Sequence, residues 1–77
     1  MRSLRTLETR VLGYSIERVE ELDHLGTPAA TWYEVHCPYS NAILSTAATR
    51  VDAERVVVAR ELEAARRAVV MNGGLAA

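Results

Sequence analysis

Three side chains in this sequence offer soft or imidazole ligand and nucleophile chemistry: His24, His36 and Cys37. Zinc takes three or four such groups at recognisable spacing. His36 and Cys37 are neighbours on an apparent strand, where successive side chains point to opposite faces. They cannot share an ion without distortion, so no metal is expected. Cys37 reads as a small core residue and His36 as a surface residue on the outward face. Nucleophilic catalysis is equally unsupported. Cys37 precedes Pro38 at a strand end with no motif to set a base beside it. The serines occupy no G-x-S-x-G context. Gly73 and Gly74 follow a helix instead of opening one, which suits a cap and not a phosphate cradle. No catalytic residue and no cofactor are expected, and the reading is of a protein that is not an enzyme.

The charges say more than the nucleophiles. All nine basic residues are Arg, against ten carboxylates, for a net charge of -1. Residues 1 to 16 carry three Arg and one Glu, whereas residues 17 to 25 carry Glu17, Glu20, Glu21 and Asp23 against Arg18 alone. The result is a local acidic cluster. Charges of this kind on an edge strand suppress unwanted pairing. They also suit an Arg- or Lys-lined groove on a partner, where carboxylates stand in for phosphates and complementary charge selects the partner.

Size bounds what can hold these groups in place. A chain of 77 residues buries only about 60 to 65% of its unfolded surface, which leaves one modest core and no room for an elaborate cavity. We expect a single domain over residues 1–77. With no Phe, four aromatic residues and twelve Ala, that core is thin. One Cys excludes an internal disulfide and fits a reducing compartment. No apolar run exceeds four residues, far short of the ~20 that span a bilayer. The N-terminus lacks the apolar stretch of a signal peptide. The expectation is a cytoplasmic protein without membrane contact.

Five stretches ahead of residue 49 carry structural signals. Residues 1 to 12 fit two descriptions: Leu4, Leu7 and Val11 recur at helical spacing, while Thr6, Thr9 and Val11 suit a strand. From Tyr14 the chain favours extended structure, with a change of apolar phase between Ile16 and Val19 that suggests a bulge or a twisted edge. Asp23 to Ala30, with Gly26 and Pro28, reads as a loop. Thr31 to Cys37 is the clearest strand, placing Thr31, Tyr33, Val35 and Cys37 on one face and Trp32, Glu34 and His36 on the other. Pro38 to Asn41 turns the chain into a short strand beginning at Ile43 and Leu44.

Thr49 and Asp52 form a capping signal ahead of a segment, residues 50 to 71, that has no Gly or Pro and stops at Asn72, Gly73 and Gly74. At 100° per residue this helix carries two apolar stripes. One holds Val51, Val58, Leu62, Ala65 and Val69; the other, about 120° away, holds Ala53, Val57, Ala64, Ala68 and Met71. One stripe must cover the sheet. The smaller one, through Val57, Ala64, Ala68 and Met71, is the candidate interface for a homodimer. The expected fold is therefore α+β, a three-stranded antiparallel sheet packed by one long C-terminal helix (βββα), with residues 72–77 as a flexible tail.

The acidic residues Glu17, Glu20, Glu21 and Asp23, the hairpin through Trp32, Tyr33 and His36, and the helix from Arg50 to Met71 together resemble the small inhibitor proteins of phages and mobile elements, notably anti-CRISPR proteins. The resemblance lies in size and layout and transfers no residue's role. It implies a protein that binds a subunit of a CRISPR effector complex and blocks it. On this reading Glu17, Glu20, Glu21, Asp23, Trp32 and His36 contact the partner. An alternative follows from the order of elements over residues 14 to 71, which resembles the arm-binding domains of phage integrases. These present their sheet to DNA, and here Trp32, His36 and Arg18 would stack on bases and contact phosphates. Net charge -1 and the absence of Lys argue against direct nucleic-acid binding, which draws on a basic surface.

Overall fold

Leu12 and Gly13 both adopt left-handed backbone conformations, φ 52° and 89°, and reverse the chain so that Val11 pairs with Tyr14. Two consecutive positive φ values mark the tight hairpin turn whose twist matches that of its flanking strands. The computed structural model describes residues 2–69. The turn settles the open question about the N-terminal segment, which is a strand. β1 (Arg2–Val11) runs antiparallel to β2 (Tyr14–Leu22), followed by β3 (Pro28–His36), β4 (Ile43–Ala47) and α1 (Arg50–Ala68). The sheet has the order β1-β2-β3-β4, with antiparallel pairing throughout.

The fold is thus α+β with one C-terminal helix, but the sheet has four strands where three were expected. Helical spacing in β1 is overridden because a strand there pairs its backbone groups with those of β2 on both sides of Glu8. The phase change in β2 has a different cause from the bulge proposed for it. Ile16 and Val19 are three residues apart, so they point to opposite faces, and both are buried, at 0% and 1% exposure. The pairing of β2 with β3 is continuous across them. The irregularity lies across the ladder in β1, between Leu7 and Thr9.

The core on the helix side consists of Ile16, Val35, Ala53 and Val57, with Val11, Tyr14, Tyr33, Ala47 and Val56 packed around it. Thr49 caps α1, its Oγ1 accepting from the Asp52 backbone N–H at 3.1 Å. The two helix stripes exchange their expected roles. The smaller one faces the sheet through Ala53 and Val57, while Val51, Val58, Leu62 and Val69 remain 48 to 65% exposed. Tyr14 and Tyr33 pack against this core, and small helix residues allow close approach to it. Val57 is therefore a core residue and not an interface residue. Ala64 and Ala68 are exposed on a part of the helix that runs past the sheet, since every residue from 62 to 69 is exposed. Met71, the glycine stop and the 72–77 tail lie outside the described residues. The radius of gyration, 16.4 Å, exceeds the ~11 Å of a compact chain of this length, as a projecting helix requires.

Candidate functional site

The helix covers one face of the sheet, and the densest chemistry lies on the other. In β3, Trp32, Glu34 and His36 alternate onto this open face. Register brings Val19 opposite both Arg5 and Trp32, and Glu17 opposite Glu34. Two carboxylates facing each other on adjacent strands repel. Arg5 resolves the conflict from β1: its Nη1 donates to Glu34 Oε1 and lies 3.5 Å from Glu17 Oε1. Trp32 Nε1 donates to Glu34 Oε2 at 3.4 Å.

His36 completes the cluster. Its Nε2 is 3.3 Å from Glu34 Oε1 and 3.8 Å from Glu17 Oε1, and its Nδ1 is 3.2 Å from the Asn41 carbonyl oxygen. That carbonyl can only accept, so Nδ1 carries a hydrogen. His36 and Glu34 are both buried, which corrects the expectation of a surface histidine. A histidine with acceptors at both ring nitrogens is fixed in orientation. Burial by itself would raise the Glu34 pKa; the hydrogen bonds from Arg5 and Trp32, the Arg5 charge and the His36 bond outweigh it, and the carboxyl is held below its ordinary value. The same pairing with Glu34 raises the Arg5 pKa.

Glu17, Glu34 and His36 each place one ligand atom within 4.8 Å of the others, a donor set suited in type to a divalent cation. The Arg5 guanidinium already stands against both carboxylates. A cation of the protein itself offsets part of the charge of the two carboxylates. Sequence reasoning missed both Arg5 and Glu34. The alternation of β3 places Glu34 between Trp32 and His36, but Arg5 could be matched to it only once β1 was known to pair with β2.

The proposed partner-binding residues divide between surfaces. Glu17, Trp32 and His36 belong to the open-face cluster, and Glu21 follows Glu17 and Val19 along the same face. Glu20 points to the helix side, where its Oε1 lies 3.4 Å from Arg18 Nε. Asp23 is committed to its own loop, its Oδ1 accepting from the N–H groups of Leu25 at 2.9 Å and Thr27 at 3.0 Å. The acidic residues therefore form no single patch. Arg18 is likewise on the helix side, bonded to Glu8 at 3.1 Å, so it cannot join Trp32 and His36 in one nucleic-acid surface.

Cys37 is half-buried at the start of the turn and not a core residue. It borders an open cleft with Arg10, Gly13, Ser15 and Tyr39. A hydrogen bond from Ser40 and backbone bonds at Tyr39 and Ser40 lower its thiol pKa, against the opposing effect of burial. His24 is an exposed loop residue. No helix among the described residues is long and apolar enough to cross a membrane. Comparison with protein-family models, curated proteins and solved structures finds no match.

Proposed function

We propose that the protein is a non-enzymatic inhibitor of the anti-CRISPR type, which binds a protein subunit of a nucleic-acid-handling effector complex through the open face of its sheet. The reading rests on the Arg5–Glu17–Glu34–His36 cluster. Its members satisfy one another, so the face offers a preorganised polar platform with an aromatic edge at Trp32. Groups held in place before binding lose little entropy on association, and aromatic side chains commonly anchor protein interfaces. Carboxylates at Glu17 and Glu21 favour a basic surface on the partner, such as one that handles nucleic acid. The action belongs to the cytoplasm, where Cys37 stays reduced. No cofactor enters this mechanism.

The test is a titration of purified CRISPR effector complexes, loaded with guide RNA, with the full chain while binding of target DNA is followed. Inhibition is expected for a susceptible effector type. Glu21→Arg combined with Trp32→Leu should weaken it about tenfold or more, with the melting temperature as the control for folding. The absence of inhibition across effector types, together with a salt-sensitive mobility shift of DNA by the chain alone, would replace this reading with the nucleic-acid one.

A further inference from the structure

We propose that two copies of this chain associate through the outer face of α1, as an antiparallel helix pair. This surface is separate from the open sheet face, so the inference goes beyond the reading above. Val51, Arg55, Val58, Leu62, Ala65 and Val69 succeed one another at alternating spacings of four and three residues. That is the seam of a two-helix coiled coil. Its four large apolar members are 48 to 65% exposed, and a groove runs along Val51, Arg55, Val58 and Leu62. Among the described residues, the half of the helix that projects beyond the sheet is exposed from 62 to 69, yet short helices in water are marginal without tertiary packing.

Charge selects both the occupant and its direction. In an antiparallel pair of identical chains, Val51 meets the partner's Val69, Val58 meets the partner's Leu62, and Arg55 meets the partner's Ala65. On one flank Asp52 meets the partner's Arg66, twice by symmetry, and Ala59 meets the partner's Ala59 at the two-fold axis, where small side chains allow close approach. Asp52 and Arg66 are free to exchange partners. Their present contacts, Arg55–Asp52 at 3.5 Å and Arg66–Glu63 at 3.8 Å, lie between side chains that are at least half exposed, and such pairs hold weakly. On the other flank Glu61 approaches its own copy, a like-charge contact at the rim that costs less than one inside the seam.

Parallel pairing would bring Glu61 to the partner's Arg66. It would also stack Arg55 on Arg55 inside the seam, where like charges are desolvated and repel more strongly than surface charges attract. Antiparallel pairing also sets the two sheets at opposite ends, each beside the sheet-free half of its own partner's helix. The seam is short, at the low end of specific interfaces (roughly 1,200 Å² or less in total), and a micromolar dissociation constant is expected.

Sedimentation equilibrium of the full chain across the micromolar range tests the proposal. The apparent mass should rise from monomer to dimer with concentration, and Leu62→Glu should hold it at monomer. Asp52→Arg alone and Arg66→Glu alone should each weaken the dimer about tenfold, and the double exchange should restore it. Rescue between sites at opposite ends of one helix is not an effect that local damage to the helix start could produce, so it reports the antiparallel contact even if Asp52→Arg lowers helix stability. A wild type that stays monomeric throughout, or a dimer that the double exchange fails to restore, overturns the proposal.

Discussion

Glu17 and Glu34 stand directly opposite each other across the β2–β3 ladder, and the guanidinium of Arg5 from the third strand in line lies against both carboxylates. The arrangement ties β1 to β3 across β2. The unfavourable like-charge pair is the reason the open face has a defined polar centre, since a single cation placed beside both carboxylates offsets the repulsion and restricts all three side chains.

Replacing Arg5 by Met should reverse the effect of pH on stability. In the native protein Glu34 titrates below its ordinary value of 4.5, so it adds stability that is present above that pH and lost as pH falls through the lower, folded value. Without Arg5, burial is opposed only by the Trp32 and His36 bonds and is joined by repulsion from the facing Glu17 carboxylate, so the Glu34 pKa is expected to rise above its ordinary value. The variant should then lose stability as pH rises through the raised value. Melting temperatures measured between acid and neutral pH check this, and parallel profiles for the two proteins would refute it.

Leu12 is 66% exposed and adopts φ 52°, a conformation disfavoured for a side chain of this kind. Leu12→Asn would create Asn-Gly, the preferred pair for this hairpin turn, without loss of core contacts. A gain of about 1 kcal/mol in unfolding free energy is expected, measurable by denaturant titration. A loss of stability would show that Leu12 makes contacts that matter more than its backbone strain.

The exchange of roles between the helix stripes gives a paired prediction. At concentrations that keep the chain monomeric, Val57→Ala should cost about 2 kcal/mol, because it removes a fully buried side chain. Under the same conditions Leu62→Ala should change stability by no more than ~0.5 kcal/mol. Urea unfolding of both variants distinguishes this from the reverse assignment, in which Leu62 would be the sensitive site.

Cys37 should react with iodoacetamide at a lower pH than an unperturbed thiol, since Ser40 and the turn backbone stabilise its thiolate. Ser40→Ala should move the midpoint of the pH–rate curve upward. A midpoint indifferent to Ser40 would remove that hydrogen bond from the explanation.

Much of the architecture was legible in the residues themselves because local rules decide it. Thr49 and Asp52 announce the helix start, the β-branched and aromatic alternation of residues 31 to 36 announces β3, and Pro38 to Asn41 announces the turn to β4. The open face of β3 was equally readable from its period of two. What local rules could not supply was pairing. Whether residues 1 to 12 form a strand depends on β2 lying beside them, and that register is what carries Arg5 to Glu34, a residue 29 positions away.

The helix shows the same division. Periodicity alone determined that α1 has two apolar stripes. Which stripe lies on the sheet was decided by tertiary packing, which sets Ala53 and Val57 against Ile16 and Val35 with Tyr14 and Tyr33 beside them. The acidic residues were likewise a cluster only along the chain. Alternation of the strand sent Glu20 to one face and Glu17 and Glu21 to the other, while loop geometry claimed Asp23 for its own backbone. A sequence specifies the types and periods of its side chains locally, but partners between strands and across layers exist only once non-local backbone pairing has set the register and the distance between them.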